Sequence, residues 1–306
     1  MSLFKKLLEE KVVVIGDGGK DLTEKSLVLS LANDFEDAEW RHSRFQNFIW
    51  NNIAQTALSK RERESLAGEP HSLLARAAKS LRLTDKSNDV GAGSELAEAF
   101  LYGVMSHYFN ALSVVPKIFY KQNSQDNAKG ADSVHITVVD DTDFRLWFGE
   151  CKFYNSIEDS RLSSIIESVG ESLRSDKIKK ENSIICNVSD LKELNIGDAL
   201  KNNIESALSQ ELSLDELKPK LCIPIMLLHE CAITAGVNSW SQPYEDEVTA
   251  FHRERAQTYL KKQLVSLGAK IHLYDSITFH VILFPVPDKA KAIKQFLDAV
   301  NFYRSQ

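Results

Sequence analysis

The chain has 306 residues, 43% hydrophobic and 26% charged, with 37 Lys and Arg against 43 Asp and Glu for a net charge of −6. That length can bury one large core or two modest ones, and the composition is that of a globular protein. The acidic balance excludes a protein that coats nucleic acid through bulk charge, while leaving room for a local basic groove.

At the N-terminus, "MSLFKKLLEEKVVVIGDGG" has lysines like a leader peptide, but Glu9, Glu10 and Lys11 interrupt any apolar stretch. No window reaches the roughly 18 apolar residues of a membrane span. The expectation is a cytoplasmic protein with no membrane partner. A short strand is predicted at residues 12–15. "GDGGKD" behind it lacks the GxxxxGK[ST] spacing of a phosphate loop and reads as a glycine turn, so no dedicated small-molecule ligand is expected.

Residues 1–88 are otherwise predicted to be mainly helical, a candidate partner-docking region. Their clearest amphipathic run is "FEDAEWRHSRFQNFIWNNIAQTAL", where Phe45, Phe48, Ile49 and Ile53 form an apolar stripe. Trp40 and Trp50 in this run are candidate interface anchors, since aromatic residues dominate binding hot spots. Arg76, Lys79 and Arg82 recur at spacing three and are candidate DNA-phosphate contacts, against the alternative of a solvated helix face.

The polar, glycine-bearing "TDKSNDVGAGS" marks a boundary, with Ser94 as a candidate N-cap for the helix "ELAEAFLYGVMSHYF". Residues 89–306 then read as a second domain. It has a β-hairpin at 129–154, a helix over 162–180, a strand at "SIICNV" and a helix near 196–208. A strand at 221–229, a helix from 245 to 267, a strand region over 271–286 and a helix from 288 to 303 complete it. This is an α/β domain with a mixed central sheet. Cys151, Cys186, Cys222 and Cys231 show no CxxC pairing and sit in apolar runs, as reduced buried thiols do. His229 and His280 read as core or edge histidines without a metal-binding partner at recognisable spacing.

The hairpin carries the chemistry. Leu146, Phe148, Glu150 and Lys152 share one strand face, and period two sets Glu150 and Lys152 about 7 Å apart. Charges in such an apolar strand cost desolvation free energy unless they are paired or bind something. Asp132, at the mouth of the first strand, can meet them across the ladder. A two- or four-residue loop would put Asp132 opposite Cys151 on the wrong face, so an odd-length loop near Asp140–Asp143, or a bulge, is predicted. "DDTD" itself reads as turn chemistry rather than a second metal cluster. Two carboxylates can hold a hard divalent cation, and the ammonium beside them can orient or help deprotonate an attacking water. On the preceding helix, Glu98 lies closer to the buried stripe of Leu96, Phe100, Val104 and Tyr108, whereas Glu95 points away.

An acid on a helix, an acid at a hairpin and ExK on the next strand resemble the PD-(D/E)xK nuclease superfamily and its restriction-endonuclease-like core. Ala131 stands where that pattern often has proline. More narrowly, "GSELAEAFLY", "KGADSVHI" and "LWFGECKFY" in this order are similar to the HamA family, the nuclease subunit of the Hachiman antiphage system. The resemblance implies a DNase using Mg2+ or Mn2+, partnered by the helicase HamB and acting on DNA. The implied catalytic residues are Asp132, Glu150, Lys152 and Glu98, with Glu95 as the alternative helix acid; the implied metal ligands are Asp132, Glu150 and Glu98. The competing expectations are a catalytically silent DNA-binding or regulatory subunit of a helicase complex, and a housekeeping DNA-repair nuclease.

Overall fold

The computed structural model describes residues 4–16, 19, 21–83, 90–121, 130–187, 194, 196–209 and 211–306. The expected boundary at 84–94 falls partly on residues 84–89, and the "GDGGKD" turn partly on 17, 18 and 20, outside the described residues.

A seven-stranded mixed sheet organises the chain, in the order β1-β2-β9-β8-β7-β6-β5. Its strands are β1 (Lys5–Lys11), β2 (Ser26–Ala32), β5 (Leu112–Val115), β6 (Ser133–Val138), β7 (Phe144–Tyr154), β8 (Leu221–Glu230) and β9 (Thr278–Val286). Two short strands, β3 (Phe35–Glu36) and β4 (Glu39–Trp40), pair separately. β2, β9, β8 and β7 run parallel in the centre; β1, and then β6 and β5, are antiparallel at the two edges. The central strand β8, "LCIPIMLLHE", is buried along all but its last residue, as a parallel strand covered on both faces must be.

The helices are α1 (His42–Ala57), α2 (Lys60–Ser65), α3 (Pro70–Ser80), α4 (Val90–Phe109), α5 (Lys117–Lys121), α6 (Ser163–Ser172), α7 (Ser175–Asn187), α8 (Asp198–Ala207), α9 (Leu214–Leu217), α10 (Ala232–Ala235), α11 (Gln242–Leu267) and α12 (Lys289–Arg304). One face of the sheet packs on α1, α3, α4 and α12, with Phe45, Phe48, Phe100, Phe284 and Phe296 in the core. The other packs on α6, α7, α8 and α11, around Ile165, Val169, Ile185, Ile204 and Tyr259. Period-two alternation sorts β7 between them: Phe144, Leu146 and Phe148 belong to the α6/α11 layer, and Trp147, Cys151 and Phe153 to the α4 layer.

Several local expectations are corrected. The first strand is Lys5–Lys11 rather than 12–15, and with β2 it completes the shared sheet, so the N-terminal segment supplies strands as well as helices. In "SIICNV", residues 183–187 end α7 rather than forming a strand, and Val188 lies outside the described residues. Ile178 and Ile185, seven positions apart, are both fully buried, so the segment continues a helical period begun upstream. Ser94 lies inside α4, which already starts at Val90; helical winding through Gly91 and Gly93 makes a cap at Ser94 unnecessary. Trp40 and Trp50 are buried at 5% and 7% exposure. Trp40 packs on His42 and Phe45, and Trp50 on Phe296 and Tyr303, so neither is an exposed anchor.

Candidate active site

The β6–β7 ladder pairs Val138 with Phe144 and Ser133 with Gly149. The connection is thus residues 139–143, odd in length, and the paired register ends at Ser133 and Gly149, with Asp132 one residue beyond it. Asp140 makes the turn: its Oδ1 accepts from the Thr142 amide at 2.7 Å and the Asp143 amide at 2.8 Å. The acid-rich tip is turn chemistry, with Asp143 further paired to Lys220.

At the other end the two strands part. The Asp132 amide donates to the Gly149 carbonyl at 2.7 Å, and the ladder stops there. β7 continues from Glu150 to Tyr154 beside β8, pairing Glu150 with Ile225 and Lys152 with Leu227. On the β6 side the Cys151 amide is taken by the Asp132 carboxylate, Oδ2 at 3.1 Å. The side chain stands where a strand carbonyl would otherwise be, and the amide stays satisfied as burial demands.

Glu150 and Lys152 project into the α6/α11 layer by the alternation of β7. Glu150 is 4% exposed, and Lys152 is half-buried. Burial works against the charged form of Lys152, but the charge of Asp132, then those of Cys151, Glu150 and Tyr154, outweigh it and hold its pKa above the ordinary lysine value. Lys152 is therefore an ammonium at neutral pH, suited to stabilising charge rather than to acting as a base. Tyr154, next on that face, hydrogen-bonds Ser164 of α6 at 2.9 Å; burial first of all pushes its pKa up.

Glu98 arrives from the opposite layer. A Cβ on Gly93 would lie 4.0 Å from the Phe153 ring, and one on Gly149 only 2.9 Å from Leu101. These contacts lay the part of α4 that holds Glu98, one turn before Leu101, along β7. Glu98 is 3% exposed, with Ser94 Oγ at 3.5 Å. Glu95 is occupied otherwise: its two carboxylate oxygens accept the Arg82 and Leu83 amides at 2.9 and 3.0 Å, tying the segment after α3 to α4. Of the two candidate helix acids, Glu98 is the one beside the hairpin.

Among the described residues no group of three or more His, Cys, Asp or Glu side chains is arranged to hold a metal ion. The expected trio of Asp132, Glu150 and Glu98 is thus not gathered into one ligand cage, because alternation turns Glu150 into the layer opposite α4. Asp132 and Glu150, both close enough to bias Lys152, are a donor set that suits Mg2+, which takes one or two carboxylates and completes its octahedron with water and phosphate oxygens.

The basic candidates divide. Arg76 is bound to Glu62 at 3.1 Å. Lys79 and Arg82 are exposed, and the Glu95 bonds bring Arg82 to the same end of α4 as Glu98. The histidines fill structural roles: the buried His229 and His252 meet through their Nε2 atoms at 3.0 Å, His252 reaches Ser30 at 2.6 Å, and the partly buried His280 packs on Trp147 with ring centroids 4.8 Å apart. Cys151, Cys222 and Cys231 are buried thiols outside any disulfide; the side chain of Cys186 lies outside the described residues.

Sequence reasoning missed Lys117 and Glu181, a buried ion pair next to the hairpin mouth. For Lys117 the available signal was a charge inside the apolar run "VVPKIFY"; the polar stretch around Glu181 carried none. It also missed a cavity of about 450 Å3 at the carboxyl ends of β7, β8 and β9, lined by Asn155, Ile157, Glu230, Phe251 and Arg255 among others. Such ends of parallel strands are where α/β sheets commonly receive ligands.

A mixed α/β sheet covered on both faces, with an acid at a strand mouth and Glu-x-Lys on the strand that outruns it, defines the class: a core of the PD-(D/E)xK restriction-endonuclease-like type. The chain belongs to the HamA family, whose family model matches residues 1–300. That membership makes it a component of Hachiman antiphage defence. Comparison with curated proteins gives no match. No helix among the described residues is long and apolar enough to cross a membrane.

Proposed function

We propose that the chain is a metal-dependent deoxyribonuclease, the cutting subunit of its defence system, held in check by a partner helicase of the HamB kind. What supports this reading is that the charges of Asp132, just past the end of β6, and of Glu150 on β7 both act on Lys152. Phosphodiester hydrolysis needs a polarised phosphate, a positioned water and stabilisation of the charge that builds on phosphorus-bound oxygens.

Asp132 and Glu150 are the residues that would hold Mg2+ or Mn2+. The bound ion would supply Lewis acidity toward the phosphate and a more acidic water. Lys152, kept protonated by its neighbours, would orient an attacking water and stabilise the developing charge. Asp132 is steadied by the Cys151 amide, so its orientation is set before substrate arrives. Lys79 and Arg82 are candidate contacts for the DNA backbone, and Arg76 joins them only by giving up Glu62.

Control follows from charge and chemistry. A sequence-tolerant DNase would damage its own host, and a net charge of −6 makes unaided capture of DNA inefficient. A helicase partner would supply both delivery and restraint.

The test is degradation of plasmid by the purified chain and its complex, with magnesium and with chelator. The Glu150→Ala, Lys152→Ala double variant is expected to be inactive and folded; cleavage at the wild-type rate by that variant would end the assignment. A second reading, a silent DNA-binding or regulatory subunit, is favoured by the separation of Glu98 from Glu150 across the sheet. It predicts DNA binding by the complex without cleavage under any divalent cation.

A further inference from the structure

The most enclosed ion pair among the described residues lies one element away from the candidate site. Lys117, at the start of α5, is fully buried, and Glu181, in the middle of α7, is 3% exposed. The lysine Nζ lies 2.7 and 2.6 Å from the two carboxylate oxygens. A buried ion pair adds little net stability over an apolar pair of the same shape. What it supplies is direction: one ammonium and one carboxylate locked in a single relative geometry.

Two contacts connect that geometry to Asp132. Glu181 lies directly on Gly130, where an added Cβ would come within 1.8 Å of its Oε1. Gly130 is two residues before Asp132, and Ala131 between them is buried at 1% exposure, leaving little slack. On the other side, the Lys117 amide donates to the Tyr102 hydroxyl at 3.2 Å, and Tyr102 packs against the ring of His135 on β6, centroids 4.6 Å apart. The pair is thus keyed to the chain on both sides of Asp132.

We propose that Lys117 and Glu181 are positioning residues, whose ion pair fixes Gly130 and through it the Asp132 carboxylate at the mouth of β6. The geometry stands by itself; its consequence for cleavage rests on the nuclease reading above.

The experiment is residue-resolved amide exchange on the full chain, with cleavage measured in parallel. Asp132→Ala sets the scale, because it removes the acceptor of the Cys151 amide. The Lys117→Met, Glu181→Leu double variant replaces both charges and keeps side-chain volume, so folding is expected to survive. Its Cys151 amide should exchange at least about tenfold faster than wild type, while amides in the β7–β8 ladder keep their protection. Its kcat should fall about 100-fold with KM within about twofold, the signature of a misplaced catalytic group. If the double variant does not fold, Gly130→Ala displaces the Glu181 carboxylate from its seat and should produce the same exchange and kinetic changes. Wild-type protection of Cys151 in either folded variant overturns the proposal. Faster exchange at Cys151, with no cleavage even by wild type, supports the positioning role and counts against the nuclease reading alone.

Discussion

The Asp132 carboxylate accepts the backbone amide of Cys151 at 3.1 Å, with the Cys151 thiol 3.6 Å from the same oxygen. One side chain therefore both closes the sheet where β6 ends and stands beside the candidate chemistry, and its two duties are separable. Asp132→Asn retains an acceptor for the amide, whereas Asp132→Ala leaves a part-buried donor unsatisfied at a cost of about 1–3 kcal/mol. Both variants are expected to lose cleavage, and only the alanine variant should lower the melting temperature appreciably. Thermal unfolding alongside a plasmid assay checks this; equal melting of both variants would show that the hydrogen bond is not what Asp132 contributes to the fold.

The two helix acids should separate by assay. Glu98→Gln keeps shape and removes charge next to the hairpin, and is expected to reduce cleavage about tenfold or more. Glu95→Ala removes the acceptor of the Arg82 and Leu83 amides; it should cost about 1 kcal/mol of stability while cleavage persists. The opposite pattern would move the role to Glu95.

Lys152 gives a pH prediction with a definite sign. Its pKa in the folded chain is raised because Asp132 and its other neighbours overcome burial. Its favourable contribution is complete below the unfolded lysine value, near about 10.4, and is lost only as pH rises through the higher folded value. In the metal-free chain, a titration followed by NMR of the lysine side chains should therefore show Lys152 still protonated between about pH 7 and 10. Lys152→Arg should retain more activity than Lys152→Met, since the role is that of a cation. A basic limb near neutral pH that disappears in Lys152→Arg would instead identify a lysine base.

Acid should act through the buried histidines. Burial lowers His135 to about 3 and His229 to about 4, and it holds His252 well below its ordinary value, helped by its contact with His229. Below about pH 6.5 the unfolded chain takes up protons that the folded chain refuses, so stability falls with pH by up to about 1.4 kcal/mol per unit for each histidine. Urea unfolding at intervals from pH 7.5 to 4.5 should show this loss beginning near 6.5, above the range where carboxylates titrate. A flat stability between 6.5 and 4.5 would contradict it.

The shared strand face of Glu150 and Lys152, the apolar stripe of α1, a strand at 221–229 and the odd hairpin loop were all legible in the sequence. Each depends on a local rule: period two, period 3.6, a continuous apolar run, or the parity of a turn. Ser94 and "SIICNV" went the other way because helix propagation across several turns outweighed a local cap or a short β-like run. Which layer each acid enters was decided only by tertiary structure. Glu98 lies on a helix packed on one face of the sheet, while Glu150 is turned to the other by its strand, and no spacing along the chain encodes which face a helix will cover. The same holds for Lys117 and Glu181, whose side chains meet 64 positions apart: a charge in an apolar segment announces that it needs a partner, but only packing selects the partner and excludes the water that would otherwise take its place.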